Sequence, residues 1–326
     1  MKFKHEGIVQ ENGDSCNGFG ELNDVSSSGR RRPWREMKMG SQKLAGLYEL
    51  ANELLPVITQ RRLDDLRHCG ATLEFAVLED GRKELRWAWF CRVRLCPMCM
   101  WRRSLKLAYR MKQAVDALRA TCPSVRFLFV TFTQRNCVGS ELGIVLSRMS
   151  SSFSKLLKDK RLSKVVLGYM RSIEVTVNRG EWTCHPHIHA VLAVRAGYFT
   201  RNYLPHEEWR ELWRVSMGLD YLPQVNVKVL RDSDWSVVEA VKYSVKAIDT
   251  LVDVPDKRSA ACMLVDLTVG LHKRRLVTFG GAFRGMKFQD EYESGDLVHV
   301  EGSGGVAEVG RVVYRWVPLY GAYVAD

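Results

Sequence analysis

Residues 185–189 read His-Pro-His-Ile-His and run straight into the apolar stretch 190–194. In a β-strand alternate side chains share a face. His185, His187 and His189 therefore point one way, and Pro186, Ile188 and Ala190 the other. Two imidazoles at i and i+2 can converge on one metal ion. Glu174 in the preceding run supplies a carboxylate. If the intervening turn centres between Gly180 and Glu181, Glu174 lies directly across from His187, and a slip by whole two-residue steps keeps it near the histidine face. Glu181 is the alternative third ligand. Mixed nitrogen and oxygen ligation suits Mn²⁺ or Mg²⁺, with the imidazoles favouring Mn²⁺, and it leaves coordination positions open to substrate.

A second constellation is built from thiols. Cys91, Cys96 and Cys99 are spaced C-x4-C-x2-C, and Cys69 lies just before the hairpin that leads to them. A C-x2-C pair on a tight turn brings two thiolates to a tetrahedral zinc ion. Cys69 is the expected fourth ligand, with His68 as the alternative. Cys16, Cys122, Cys137, Cys184 and Cys262 are isolated and are expected to be packing or surface residues. Nine cysteines, an odd number, argue against a disulfide framework.

A third constellation sits on the predicted helix over residues 235–251. Val237, Val241, Val245 and Ile248 form its apolar face. Glu239, Lys242, Tyr243 and Lys246 fall at i, i+3, i+4 and i+7 on the other. Alone this is a solvated charged face, and Ser236 with Glu239 matches a capping box. Beside a metal site it changes meaning. A tyrosine oxygen attacks phosphorus once a cation polarises the phosphate, and lysine neutralises developing charge.

These residues need elements to position them. Residues 1–40 mix Gly, Ser, Asn and charge without periodicity and read as a disordered basic tail. A helical pattern follows over 42–67, broken near Pro56, and alternating runs flank a turn at Asp80-Gly81. Residues 98–120 read as a basic amphipathic helix, 125–134 as a buried strand, 141–160 as a helix, and 169–178 with 185–194 as paired strands. A helix over 205–217, a strand at 225–230 and β-rich sequence after residue 286 complete the pattern. Helices interleaved with antiparallel strands give an α+β class. The expected organisation is a tail (1–40), a zinc- and DNA-binding module (41–122), a catalytic domain (123–285) and a β-rich C-terminal extension (286–326).

Lys and Arg number 49 against 37 Asp and Glu, a formal charge of +12 that suggests a polyanionic partner. Basic residues cluster at 30–35, at 101–106 with Arg102 and Arg103, and at 272–275 with Lys273, Arg274 and Arg275. Together with Lys242 these are the expected DNA contacts. No apolar run approaches the ~18 residues of a membrane helix, and residues 1–16 contain no apolar signal core. A cytoplasmic protein without membrane association is expected.

Taken in order, Phe-Cys-Arg-Val-Arg-Leu-Cys-Pro-Met-Cys at 90–99, Phe-Leu-Phe-Val-Thr-Phe-Thr at 127–133, His-Pro-His-Ile-His-Ala-Val at 185–191 and Glu-Ala-Val-Lys-Tyr-Ser-Val-Lys at 239–246 resemble motifs of plasmid rolling-circle replication initiators, within the HUH endonuclease superfamily. The resemblance spans roughly residues 65–285 and is to the branch with one tyrosine and a glutamate four residues before it. It implies a central antiparallel sheet of about five strands with helices packed on it. It also implies an origin-specific DNA nickase in which His187, His189 and an acidic residue hold the metal. Tyr243 would attack the scissile phosphate, leaving a 3′-OH and a 5′-phosphotyrosine. Glu239 would activate water at termination, and Lys246 would position the phosphate. Origin DNA, a host helicase and a host polymerase are the implied partners. Two readings stay open beside this one: a transposase of the same chemistry, and a non-catalytic zinc-dependent DNA-binding protein. A relaxase fits less well, because Tyr243 follows the histidines.

Overall fold

The structure, a computed structural model, describes residues 20–26, 29–231, 251–286, 297–299 and 306–326 of the chain. Its elements are α1 (Trp34–Leu54), α2 (Gln60–His68), β1 (Thr72–Leu78), β2 (Lys83–Ala88), α3 (Pro97–Thr121), β3 (Arg126–Thr133), β4 (Cys137–Val138), α4 (Leu142–Leu156), α5 (Lys160–Ser163), β5 (Val166–Asn178), β6 (Thr183–Val194), α6 (His206–Met217), β7 (Val225–Leu230), α7 (Lys257–Gly270), β8 (Val277–Gly281), β9 (Glu308–Val317) and β10 (Ala322–Ala325). The helix expected over 235–251 lies outside the described residues except at its last position, and so do Glu239, Lys242, Tyr243 and Lys246.

The strands form two sheets. The larger runs β7-β3-β6-β5-β8, with β4 paired to β6, and every pairing in it is antiparallel. The α+β class and the antiparallel sheet of about five strands are borne out. The two long central strands follow from their sequences: β-branched and aromatic residues dominate β3, and the apolar run 190–194 lets β6 be buried on both faces. The β5–β6 turn pairs Asn178 with Thr183 and sets the register of the whole hairpin.

Pleating divides β6 between two environments. Ile188, Ala190 and Leu192 face one layer of helices, where α4, α6 and α7 bury Phe153, Trp213 and Leu264 with Phe132 and Val130 of β3. Val191 and Ala193 face the other way. They are covered by Leu107, Met111, Ala114, Val115 and Leu118 of α3, together with Phe127, Met170 and Phe283. His185, His187 and His189 lie on that second face of the strand, beyond the stretch where α3 residues pack against it. The odd-numbered side of β6 is thus core at one end and site at the other.

The smaller sheet, β10-β9-β1-β2, carries the cysteine-bearing segment. Gly81 turns the β1–β2 hairpin at φ +78°, a left-handed conformation that costs glycine little. Here the structure differs from two sequence expectations. The C-terminal strand β9 pairs with β1 along its length, so the end of the chain completes the sheet of the N-terminal module. The described residues of 20–40, expected as part of a disordered tail, are ordered. Glu21 bridges Val324, and α1 begins at Trp34. Trp34 is 2% exposed and sits edge-on to Phe75 and Trp101, with Nε1 donating to Asp24 Oδ2 at 2.7 Å. One buried tryptophan orders a segment whose composition is otherwise that of a tail, because burying so large a ring contributes a few kcal/mol.

Candidate metal centre

Glu174 pairs directly across from His187. Thr131 and Thr133 of β3 pair with His189 and His187 on the opposite side. Glu174, His187 and His189 therefore form one patch on two adjacent strands, flanked by Thr131 and Thr133 on a third. Glu174 Oε2 lies 2.9 Å from His187 Nε2 and 2.7 Å from His189 Nε2. One donor atom from each of the three falls within 4.8 Å of the others. Burial alone would raise the Glu174 carboxyl, but the hydrogen bonds and charges of His187 and His189 outweigh it and hold the pKa down to about 2. Glu181 stays in the turn, accepting a 3.3 Å hydrogen bond from Asn178, so Glu174 is the carboxylate that meets the imidazoles. His185 stands 5.4 Å from His187, ring to ring, and is not part of the converging set.

The arrangement around His189 fits a cation. Its Nδ1 is 3.1 Å from Thr131 Oγ1, and its ring stacks on Phe129 at 5.6 Å and 13°. Without an ion, Nε2–H donates to Glu174; with a cation bound, Nδ1–H would donate to Thr131 and leave the Nε2 lone pair for the metal. Two imidazoles and one carboxylate suit a divalent ion of mixed N/O preference. Thr131 and Phe129 escaped the sequence reading, although alternation in β3 places both on the histidine side.

The four cysteines form the second cluster. Cys69 caps the C-terminus of α2, Cys91 follows β2, Cys96 is the N-cap of α3, and Cys99 lies in its first turn. All are buried, and neighbouring sulfurs are 3.5–3.6 Å apart. A tetrahedron with Zn–S bonds of about 2.3 Å has edges of about 3.8 Å, close to these separations. The amides of Arg92 and Val93 point at Cys99 and Cys91 sulfurs, at 3.2 and 3.4 Å. Burial pushes the Cys96 thiol up, but hydrogen bonds from Cys69, Cys91, Cys99 and Ser41 outweigh it and hold it well below its ordinary value. Lys38 adds an independent indication. It is 1% exposed, and its ammonium donates to the carbonyls of Arg67 and Cys69. A buried cation without a carboxylate partner needs nearby negative charge, and the thiolates of a zinc-bound cluster provide it. His68 instead places Nδ1 on Asp64 O at 2.8 Å, so Cys69 is the fourth member of the cluster.

The expected DNA contacts divide. Arg102 is corrected: it is 3% exposed, with Nε and Nη2 donating to Leu297 O and Val298 O at 2.9 and 2.6 Å, beneath the rings of Trp34 and Trp101. Arg274 Nε donates to Gly270 O and its Nη1 to Ser147, tying the end of α7 to α4. Lys273 and Arg275 are exposed, and Arg103 reaches the carbonyl of Arg92 from a partly exposed position.

An antiparallel α+β sheet bearing a Glu-His-His constellation, joined to a four-cysteine module, defines a protein with two candidate metal centres. The family described as Replication protein (Rep_1) matches residues 82–324. A Protein rep of Streptococcus pneumoniae serotype 2 is 35% identical over 288 residues, covering 85% of this chain and 87% of its own. One from Lentilactobacillus hilgardii is 35% identical over 292 residues, 86% of this chain and 90% of that one. One from Bacillus amyloliquefaciens is 34% identical over 312 residues, 88% and 91%. No solved structure matches the chain. The chain belongs to the Rep_1 family of replication proteins, and its resemblance to rolling-circle plasmid replication initiators is borne out. No helix among the described residues is long and apolar enough to cross a membrane.

Proposed function

We propose that this plasmid replication initiator is a metal-dependent, origin-specific DNA nickase. The observation that carries the reading is the convergence of both Nε2 atoms on Glu174 Oε2, at 2.9 and 2.7 Å, on a face of the sheet that α3 covers only at its other end. Glu174, His187 and His189 would hold Mn²⁺ or Mg²⁺. When bound, the cation supplies Lewis-acid polarisation of the scissile phosphate. Tyr243 supplies the nucleophile: its Oη bonds to phosphorus as the bond to the 3′ oxygen breaks, and that oxygen takes up a proton to become the 3′-OH primer. The product is a 5′-phosphotyrosine, whose retained ester bond lets a later transfer rejoin the strand. Lys246 positions the phosphate, and Glu239 activates the water that ends the cycle. These three residues lie outside the described ones, so their roles rest on helical spacing and on the resemblance. Cys69, Cys91, Cys96 and Cys99 hold a structural zinc.

The substrate is a plasmid double-strand origin exposing its nick site as a single strand, and a host helicase and polymerase extend the freed 3′ end in the cytoplasm. Cleavage of a labelled origin hairpin tests this. The parent should nick it, chelation or His187→Ala with His189→Ala should stop cleavage while DNA binding persists, and Tyr243→Phe should form no covalent adduct. Undiminished nicking by the double histidine variant would remove the metal assignment.

A further inference from the structure

Beside the cysteine cluster lies a cavity of about 350 Å³, which the metal centre does not use. Its lining includes Trp89, Phe90, Arg61, Arg62 and Arg92, one carboxylate, Asp65, and the Leu297–Val298 pair. We propose that this cavity receives an unpaired base of single-stranded origin DNA, stacked on Trp89 and held by phosphate contacts from Arg61 and Arg92. The proposal rests on the function above only in taking DNA as the ligand.

Four observations carry it. First, Trp89 is 54% exposed and Trp87, two residues back on the same side of the chain, is 50% exposed. Trp87 lies in β2, an edge strand of the smaller sheet, and Trp89 follows just beyond its end. An indole left half in water in a protein that buries Trp34, Trp209 and Trp213 is a stacking platform without its guest.

Second, the charge is uncommitted. Arg61 and Arg92 are exposed, and among the described residues neither guanidinium has a carboxylate or carbonyl partner. Arg62, by contrast, is occupied: it donates to Cys91 O at 2.9 Å and lies 3.9 Å from Asp65. Two free guanidiniums flanking an exposed indole match a phosphodiester carrying a base.

Third, the site is held rigidly. Arg92 has φ +57°, a strained conformation for a residue with a side chain. Its N–H points to Cys99 Sγ at 3.2 Å, and its carbonyl accepts from Arg103 at 3.1 Å. The cysteine cluster thus fixes the backbone that presents the Arg92 side chain. The opposite wall is fixed by Arg102, which donates to both Leu297 O and Val298 O.

Fourth, the size selects the form of DNA. About 350 Å³ lies at the small end of ligand cavities and takes one base rather than a helix. In a duplex both faces of each base are already stacked, whereas an unpaired base offers its faces to an indole.

The test uses the full chain carrying Tyr243→Phe, so that binding is read without cleavage and stays legible if the nickase reading is wrong. Fluorescence anisotropy compares a labelled single strand of about 12 nucleotides with a blunt duplex of the same sequence. Trp89→Ala should weaken single-strand binding by about 5- to 150-fold and leave duplex binding nearly unchanged. Trp89→Phe, which keeps a ring, should recover most of the loss. Arg61→Ala should lower the dependence of log K on log salt by about 0.7. Zinc content and thermal midpoint check that each variant is folded. Unchanged single-strand affinity in Trp89→Ala would overturn the proposal and assign the exposed face to another partner, such as a protein. Equal losses on single strand and duplex would overturn it too, since stacking on an unpaired base predicts a difference.

Discussion

Replacing Arg102 with Met removes the guanidinium while keeping most of the apolar stem beneath Trp34 and Trp101. Two charge-assisted hydrogen bonds disappear, those to Leu297 O and Val298 O. Each contributes about 1.5–3 kcal/mol, and the one to Leu297 O is buried while the one to Val298 O is half-buried. Releasing the guanidinium from its 3% exposed position offsets part of that, because burying a charge is itself costly. A net loss of about 3 kcal/mol results, or a drop of about 6–12 °C in the melting midpoint at roughly 2–4 °C per kcal/mol. Differential scanning calorimetry measures the midpoint, and anisotropy with origin DNA at 20 °C below it measures binding by the folded protein. Arg103→Ala, removing a partly exposed side chain from the next position, should shift stability by less than about 0.5 kcal/mol. The reasoning fails if Arg102→Met melts with the parent but binds DNA markedly more weakly, for then Arg102 would meet DNA rather than hold the Leu297–Val298 wall.

Three further outcomes follow from the two centres. Purified protein should carry about one zinc per chain, and Cys99→Ser should lose that zinc and melt lower, since metal binding is coupled to folding; full zinc occupancy in the variant by elemental analysis would count against the cluster. Thr131→Val, which keeps shape but removes the partner of His189 Nδ1, should weaken Mn²⁺ binding by about 10- to 100-fold in titration calorimetry with little change in melting; an unchanged Kd would assign Thr131 to packing alone. The Glu174 carboxyl is held at about 2 against an ordinary 4.5, so its contribution to the metal-free protein is complete above 4.5 and is lost as pH falls toward 2. The parent should lose stability relative to Glu174→Gln across that window, and parallel curves for the two would show that His187 and His189 do not depress this carboxyl.

Much of the candidate site is legible in the sequence because it is local. The period-two pattern of a strand places His187 and His189 on one face without reference to the rest of the fold. Four residues of turn, 179–182, fix Glu174 opposite His187, because hairpin register depends on little beyond turn length and facing pattern. The thiol spacing works in the same way, with Cys96 and Cys99 one turn apart at the start of α3. Arg102 shows where that kind of reasoning ends. It occupies a basic run on an amphipathic helix and reads as a surface cation, yet it points into the junction with residues 297–298, distant in sequence.

By itself, then, the sequence determined the chemical inventory: two histidines and a carboxylate on paired strands, three thiols on one knuckle, and the class of fold that alternating helices and antiparallel strands produce. Each of these depends on side-chain direction within one element or one hairpin, which backbone geometry sets. Only the tertiary structure decided what each side meets. It brought Cys69 rather than His68 into the cluster, and it laid β9 against β1 so that the chain's end closes the N-terminal sheet. It also buried Arg102 while leaving Trp89, Arg61 and Arg92 uncovered around a cavity. Those outcomes depend on which distant segments compete for the same surface, and a residue's own period and charge carry no record of that competition.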